Sequence, residues 1–446
     1  MPRRPHDGRY RLLRRGLFDA AMAINAHKPL KRNTVGTVPS FFASWLTTEA
    51  APIVLTAWAG RTARDVARRR GRLTVADKVG VALTAGAAVG VIGLIRDARR
   101  TGEQLDAALS GFVPPEELAD RPRAQAVGAY FPVLNGFRRR KRTRNVGYTS
   151  SGPRMKLDVY EPLLPPEPGQ RRPAILQIHG GAWVIGSKDE QGIPLLNHLA
   201  HNGWVGFNVN YQLSPKSKAP QHLIDCKLAL AWVREHADEY DIDPDFIVVT
   251  GQSAGGHLCA LMALTAGDPA YQPGFEDADT SLQAAVPFYG VYDMLDRDAE
   301  QLPRFVELLQ LVVMGTDPLE DAAGWEAYSP IDRVTADAPP MFVLHGDNDV
   351  LVPVEGARRF VGKLAKTSNN PVLYGELRGA QHAFEIFPSI RSVQTVEYVE
   401  RFLNRVHQEY LDRSGAVDDG RAESTEVIDL SEADLSGPGS AMVAGS

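Results

Sequence analysis

The stretch 246–264 constrains the fold more than any other part of the sequence. A short apolar run rich in β-branched residues (246–250) meets the turn GQSAGG, and a helical pattern rich in Ala, Leu and Met follows at once. This order predicts a strand, a sharp turn and a helix, with Ser253 at the apex. Glycines two positions before and after the serine let the strand and the helix approach closely. Such a turn would hold the serine hydroxyl clear of the sheet, beside the free N–H groups at the start of the helix.

The region 145–412 alternates apolar runs of strand length with helical patterns. Predicted strands occupy 157–160, 174–179, 203–211, 246–250, 284–289, 341–344 and 372–377, and predicted helices occupy 223–236, 358–366 and 392–410. This alternation predicts an α/β fold with a doubly wound, mainly parallel sheet and helices on both faces. In such sheets the reactive groups lie on loops at the carboxyl ends of the strands.

Two further polar residues follow predicted strands downstream of the serine turn. Asp349 lies just beyond the strand 341–344, and His382 lies beyond the strand 372–377. A serine hydroxyl is a weak nucleophile that needs an adjacent base, and the base needs an acid to orient it. Taken singly, Asp349 could be a turn residue and His382 a loop histidine. Three such residues at successive strand ends predict a catalytic triad, with Ser253 as nucleophile, His382 as base and Asp349 as its orienter.

Backbone donors for a developing oxyanion are predicted upstream of the serine, in the motif HGGAW at 179–183. The N–H groups of Gly180, Gly181 and Ala254 are predicted to form the oxyanion hole. His179 is predicted to anchor this loop rather than to act as a base. Cys and His residues show no metal-ligand spacing, so neither a metal nor a cofactor is expected.

Seven motifs together resemble the hormone-sensitive-lipase-like branch of the α/β-hydrolase esterases. The matching segments lie at 179–183, 210–215, 225–233, 243–247, 251–256, 345–349 and 379–384. The resemblance implies an α/β-hydrolase fold and a serine carboxylesterase or lipase that works through an acyl-enzyme intermediate. It assigns the same triad roles to Ser253, Asp349 and His382. Two positions depart from the family pattern, since Ala182 replaces a glycine and Gln252 stands where many members have aspartate.

The substrate is only partly indicated by the sequence. Aromatic residues near the predicted strand ends are candidates for an acyl pocket, although core packing would explain most of them equally well: Trp183, Phe288, Tyr289 and Phe384. The stretch 302–314 is predicted to be an apolar helix of a cap, which suggests esters with short- to medium-chain acyl groups or lipid esters. A related amidase, formamidase or acetyl-sugar esterase shares the motifs and remains an alternative. A non-catalytic membrane-associated scaffold would be expected to lack a triad residue, and none is missing.

The first 100 residues are basic and partly apolar, and they contain two candidate membrane segments. Residues 79–95 carry no charge but are at the short end for crossing a bilayer, which takes about 17–25 apolar residues. Residues 38–60 are apolar but include Glu49 and two prolines. This region resembles the extensions of membrane- or envelope-associated mycobacterial lipases and carboxylesterases, which implies a membrane-associated or cell-envelope location. A buried helix of a cytoplasmic protein is the alternative.

The remaining segments carry no expected chemistry. Residues 101–144 are predicted to form a helical, basic connector or cap, and because the arginine run near its end lacks interleaved aromatic residues, nucleic acid is not an expected partner. Residues 413–446 are acidic and rich in small residues, which predicts a disordered tail. The expected partners are a small-molecule or lipid ester and a membrane. The sequence does not indicate an oligomeric state.

Overall fold

The computed structural model describes residues 10–30, 36–70, 72–119, 141–150 and 152–414. The chain divides into two compact units, Met1–His407 and Gln408–Ser446. Residues 120–140 of the predicted connector and 415–446 of the predicted acidic tail lie outside the described residues.

Within the described residues, eight strands form one sheet. They are β1 (Lys141–Gly147), β2 (Lys156–Glu161), β3 (Arg172–Ile178), β4 (Val205–Val209), β5 (Ile242–Gln252), β6 (Ala285–Phe288), β7 (Met341–Gly346) and β8 (Val372–Leu377). Their spatial order is β1-β2-β4-β3-β5-β6-β7-β8. The β1–β2 and β2–β4 pairs are antiparallel, and every other pair is parallel. This confirms the predicted mainly parallel α/β sheet.

Helices precede the sheet and then alternate with its strands. The N-terminal helices are α1 (Arg11–His27), α2 (Thr37–Glu49), α3 (Ala51–Arg68), α4 (Val75–Arg99), α5 (Thr101–Leu109) and α6 (Pro115–Ala119). The later helices are α7 (Ile193–His201), α8 (Gln221–Glu235), α9 (Ala254–Leu264), α10 (Pro303–Leu308), α11 (Ala322–Ala327), α12 (Val354–Thr367) and α13 (Ile390–Ser414). A π-helical turn, Leu309–Met314, continues α10, so the predicted apolar helix at 302–314 is present.

Helix α9 directly follows the serine turn and lies in the interior of the protein. All of its residues are buried, as expected for a helix that is apolar on every face. A Cβ atom on Gly251 would lie 2.3 Å from the carbonyl oxygen of Gly255, and one on Gly255 would lie 2.1 Å from that of Ile178. The end of β5, the turn and the neighbouring strand β3 therefore meet at a separation that only glycine allows.

Helices α1 and α4 pack side by side through a seam of small residues. A Cβ atom at Gly16 would lie 2.2 Å from the carbonyl oxygen of Gly80, and one at Gly80 would lie 2.3 Å from the backbone of Leu12. Farther along, His27 lies beside Gly90, so the two helices run parallel. The buried positions of α4 alternate in steps of three and four, which is the spacing of a coiled-coil seam: Asp77, Gly80, Thr84, Ala87, Val91, Leu94 and Ala98.

Helices α4 and α5 together form the stretch Val75–Leu109, which is long and apolar enough to cross a membrane. In its most apolar window 28% of the residues are buried, so most of that window remains accessible. The other candidate segment, 38–60, is divided between α2 and α3. Glu49 lies at the end of α2 and is buried, where its carboxylate pairs with the guanidinium of Arg391 at 3.1 Å.

Candidate active site

Ser253 stands between the end of β5 and the start of α9, as the sequence predicted. Its φ of 57° and ψ of −118° are strained for a residue with a side chain. Two backbone bonds hold this conformation. The Ser253 N–H donates to the carbonyl of Phe288 at 3.0 Å, and the Ser253 carbonyl accepts from the N–H of His257 at 2.9 Å. Hydrogen bonds on both sides of the Ser253 side chain therefore hold the backbone of this residue in place.

Asp349 and His382 lie on the loops that follow β7 and β8, and the structure brings them into contact. The Nδ1 atom of His382 lies 2.6 Å from Oδ2 of Asp349. The other carboxylate oxygen accepts the backbone N–H groups of Leu351 and Val352 at 2.8 and 2.9 Å. Because the carboxylate is an acceptor, Nδ1 carries the hydrogen, and Nε2 of His382 is left as the proton acceptor of the ring.

The pKa of the Asp349 carboxyl lies well below its ordinary value. Burial alone would raise this pKa, but the charge of His382 and the hydrogen bonds from His345 and His382 outweigh the burial. Asp349 is therefore ionised near pH 7. An ionised partner stabilises the positive imidazolium that forms when His382 takes up a proton.

Gln381 connects the two loops, a role that no sequence pattern indicated. Its side-chain oxygen accepts the N–H of Val350 at 2.9 Å and the N–H of His382 at 3.1 Å. The residue is fully buried. A single amide group therefore fixes the acid loop and the base loop relative to each other.

The glycine loop after β3 lies against Ser253. A Cβ atom on Gly180 would lie 3.0 Å from Cβ of Ser253, and the loop continues with positive φ at Gly181 (115°) and Ala182 (51°). The N–H of Gly180, however, donates to Oε1 of Gln191 at 2.6 Å.

This bond corrects the prediction that Gly180 supplies an oxyanion donor. Its N–H is already used within the loop, by a side chain eleven residues farther along. The N–H groups of Gly181 and Ala182 have no hydrogen-bond partner among the described residues. The N–H of Ala254 belongs to the first residue of α9, where helical N–H groups have no partner within the helix.

His179 anchors the glycine loop, as expected. Its Nδ1 donates to the carbonyl of Gly180 at 2.7 Å, and its ring stacks on Tyr211 at 4.5 Å. Burial lowers the pKa of His179 to about 4, so the imidazole is neutral near pH 7. A neutral ring that is held by a hydrogen bond to Gly180 and by stacking on Tyr211 suits a structural role.

Gln252 also has a structural explanation. Its side-chain amide exchanges two hydrogen bonds with that of Gln177 on β3, at 2.5 and 3.2 Å. Both residues are buried. An aspartate at position 252 would place a charge in this site, whereas the amide pair is neutral and satisfied.

The four aromatic residues proposed for the acyl pocket are all buried. Tyr289 lies nearest to the base, with its ring centre 4.4 Å from that of His382, and Phe384 contacts Tyr289 at 5.6 Å. Phe288 packs against Phe384 at 6.2 Å. Trp183, in the glycine loop, lies 6.4 Å from Phe305 of α10. Tyr289, Phe384 and Phe288 therefore form one buried aromatic cluster beside His382, whereas Trp183 packs against α10.

A nucleophile held at this kind of turn, with acid and base on two later loops of a parallel sheet, defines an α/β-hydrolase. The BD-FAE family model matches residues 157–364. Over 398 residues the chain is 41% identical to the probable carboxylic ester hydrolase LipM of Mycobacterium tuberculosis, an alignment that covers 87% of this chain and 91% of LipM. The chain therefore belongs to the carboxylic ester hydrolases of the α/β-hydrolase family.

Two further similarities agree with this family. Esterase LipQ of Mycobacterium tuberculosis is 39% identical over 332 residues, which cover 72% of this chain and 78% of LipQ. The solved structure of Thermogutta terrifontis esterase 2 phosphonylated by sarin matches with a TM-score of 0.50 at 28% identity, covering 61% of this chain and 94% of that one.

Proposed function

We propose that the protein hydrolyses carboxylic esters with Ser253 as its nucleophile. The 2.6 Å bond between Nδ1 of His382 and Asp349 carries this proposal, because it leaves Nε2 as the atom that can take the serine proton. The carboxylic ester hydrolases LipM and LipQ support the type of reaction. The phosphonylated esterase of Thermogutta terrifontis supports a nucleophilic mechanism.

Acylation begins when Oγ of Ser253 attacks the ester carbonyl carbon while Nε2 of His382 removes the hydroxyl proton. The carbonyl oxygen becomes an oxyanion, which the N–H groups of Gly181, Ala182 and Ala254 stabilise. His382 then gives its proton to the leaving alkoxide as the ester C–O bond breaks. Each oxyanion donor is worth about 3–4 kcal/mol of transition-state stabilisation.

Deacylation repeats these steps with water in place of the alcohol. His382 removes a proton from the water, the hydroxide attacks the acyl carbon, and the proton returns to Oγ of Ser253 as the acid leaves. Throughout both steps Asp349 holds the imidazole in one tautomer.

Covalent labelling tests the nucleophile. The wild-type protein is expected to react with a fluorophosphonate probe and to hydrolyse p-nitrophenyl butyrate, whereas Ser253→Ala is expected to do neither. Circular dichroism of the variant provides the control for folding. Equal labelling of both proteins would contradict the assignment of Ser253.

We also propose a preference for short- to medium-chain acyl groups. Helix α10 packs near the glycine loop through Phe305 and Trp183, and the residues after it, Leu309 and Val313, are buried in the core. A cap anchored in this way limits the room beside the nucleophile. Hydrolysis rates across p-nitrophenyl esters of increasing length, with an acetylated sugar and a matching amide in the same panel, test this preference. A rate that rises up to long-chain emulsified triglycerides would contradict it.

We further propose that the N-terminal helices bind an anionic lipid surface. Exposed apolar side chains lie along α1 and α4: Leu17, Phe18, Ile24, Val79, Val89 and Ile92. An apolar groove of about 650 Å³ runs between the two helices, with Lys28 in its lining. Exposed Lys78 and Arg96 bracket the uncharged part of α4, so positive charge flanks the apolar surface, as in helices that bind lipid headgroups.

Sedimentation with phosphatidylglycerol and phosphatidylcholine vesicles tests this surface. Wild-type protein is expected to bind the anionic vesicles more strongly, and Val79→Asp is expected to weaken that binding. Leu164→Asp is the matched control, because Leu164 is an exposed leucine of the sheet region. Equal binding of the two variants would contradict the proposal.

A further inference from the structure

We propose that helix α2 belongs to the catalytic machinery, because its inner face fixes the loop that carries His382. In this arrangement Trp45 and Phe41 are positioning residues for the base. The inference rests on the proposed function, in which His382 is the general base. It assigns a role in catalysis to an N-terminal segment that contributes no reacting group.

Trp45 makes the most specific of these contacts. Its indole Nε1–H donates to the carbonyl of Ala383, the residue after the base, at 2.8 Å. Ala383 has a φ of 62°, which costs energy for a residue other than glycine and needs support from its surroundings. The Trp45 ring also meets Phe387 edge-on at 5.4 Å. One side chain thus holds the base loop both by a hydrogen bond and by packing.

Phe41 contacts the imidazole itself. The two ring centres are 6.3 Å apart with the rings nearly perpendicular, and Phe41 stacks on Trp45 at 6.2 Å. Tyr289 contacts the same imidazole at 4.4 Å. The bond to Asp349 fixes one edge of the imidazole, and these two aromatic rings restrict its remaining freedom to tilt.

The rest of the inner face of α2 binds the same loop and the first turn of α13. Glu49 accepts from the hydroxyl of Ser389 at 2.7 Å and from Nε of Arg391 at 3.1 Å. Gln381, which links the acid and base loops, lies 3.4 Å from the hydroxyl of Ser44. Positions 41, 44, 45 and 49 follow the three- and four-residue spacing of one helix face. Val38, Phe42 and Leu46, on an adjacent strip of the helix surface, are exposed.

The acid loop receives a similar contact from α1. The side-chain amide of Asn348, the residue before Asp349, donates to the carbonyl of Ala26 at 3.0 Å. The hydroxyl of Ser44 lies 3.5 Å from that same carbonyl. The N-terminal helices therefore contact both loops that carry the acid and the base.

Trp45→Phe tests this role, because it keeps an aromatic ring and removes the N–H donor. We expect kcat for p-nitrophenyl butyrate to fall about five- to tenfold, with KM changed by less than about twofold, since small misplacements of a catalytic group cost rate rather than binding. The rate of fluorophosphonate labelling is expected to fall by the same factor. Phe41→Leu is the second variant, and it is expected to lower kcat through greater freedom of the imidazole.

Trp58→Phe is the matched control. Trp58 lies buried among α1, α3 and α4, where it packs against Ala23, Ala87 and Val91. The same chemical change there is expected to lower the melting temperature and to leave kcat unchanged. A positioning role of α2 therefore predicts a lower kcat for Trp45→Phe and an unchanged kcat for Trp58→Phe.

Two outcomes would overturn the inference: folded Trp45→Phe and Phe41→Leu variants with wild-type kcat, or a loss of kcat in Trp58→Phe equal to that in Trp45→Phe. Failure of the proposed function gives a different result. In that case the wild-type protein itself would show neither ester hydrolysis nor labelling at Ser253.

Discussion

The two sides of the candidate site are held in place in different ways. The nucleophile side is local, because Ser253 is fixed by β5, α9 and the adjoining strand β3 through glycines that permit close contact. The base side is assembled from distant parts, because the loop of His382 is held by Gln381 and by a helix that lies more than 330 residues earlier. A short motif therefore specifies the strand, turn and helix around Ser253, whereas the position of His382 depends on contacts from distant parts of the chain.

The largest effect is expected on the base side, from Asp349→Asn. The amide cannot select the tautomer that leaves Nε2 free, so kcat is expected to fall by about 10²- to 10⁴-fold. Steady-state kinetics on p-nitrophenyl butyrate measures the loss, and urea unfolding shows whether the fold is retained. A folded variant whose kcat falls less than tenfold would show that the Asp349–His382 bond does not govern the rate.

On the nucleophile side, Gly255→Ala is expected to destabilise the protein by roughly 2–4 kcal/mol. The added Cβ would lie 2.1 Å from the carbonyl oxygen of Ile178, so either the turn or the strand must move. Gly86→Ala is the control, because nothing lies within 4 Å of a Cβ at that helical position. We expect this control to stabilise the protein slightly, by about 0.5–1 kcal/mol. Equal unfolding free energies in urea would contradict the requirement for glycine in the turn.

A pH dependence is expected on the base side, from Glu385. This residue is buried, accepts a hydrogen bond from the hydroxyl of Tyr289, and has a pKa that burial raises to about 7. A pKa above that of the unfolded chain means that protonated Glu385 stabilises the fold below about pH 4.5, and that this contribution is lost as the pH rises through 7. We expect a loss of about 2–3 kcal/mol from this group.

Urea unfolding of wild type and Glu385→Gln at pH 5 and at pH 8 measures this contribution. The glutamine stays neutral, so the unfolding free energy of the variant is expected to fall less between the two pH values. The same fall in both proteins would contradict a raised pKa at Glu385.

A smaller loss of kcat than in Asp349→Asn is expected from Gln381→Leu, which removes the acceptor shared by the two loops. Two buried N–H groups lose their partner, at a cost of about 1–3 kcal/mol each, and kcat is expected to fall about tenfold. Gln394→Leu is the matched control, since Gln394 bonds Gly102 and Ala98 away from the site. It is expected to lose stability without losing kcat. If both variants kept the wild-type kcat, the link through Gln381 would not matter for catalysis.

The sequence predicted the surroundings of Ser253 well, because the strand, turn and helix there are adjacent in sequence. The bond to Phe288 and the close contact with Ile178 come from other strands. The strand, turn and helix around Ser253 follow from residue order alone, and the parallel sheet follows from the alternation of apolar runs. Asp349 and His382 were found because each directly follows a strand. Their contact at 2.6 Å agrees with the predicted pair.

The sequence missed what depends on side chains from elsewhere. Gly180 was predicted as an oxyanion donor, but its N–H bonds Gln191, and no local pattern marks that glutamine. The contacts of Trp45 and Glu49 with the base loop were also missed, because the segment 38–60 was interpreted only by its hydrophobicity. An apolar helix has the same composition whether it contacts lipid or a catalytic loop.

The bond between Trp45 and Ala383 joins residues 338 positions apart, and this separation has a consequence for how activity is acquired. Helix α2 is synthesised more than 330 residues before the loop that it contacts. Contacts of such long sequence separation require the closure of a large loop of chain and form slowly. A nascent chain that has not yet reached residue 383 would contain the complete serine turn. It would lack the contact between Trp45 and the loop of His382. We therefore expect ester hydrolysis to begin only after the sheet is complete and α2 has packed against the loop of His382.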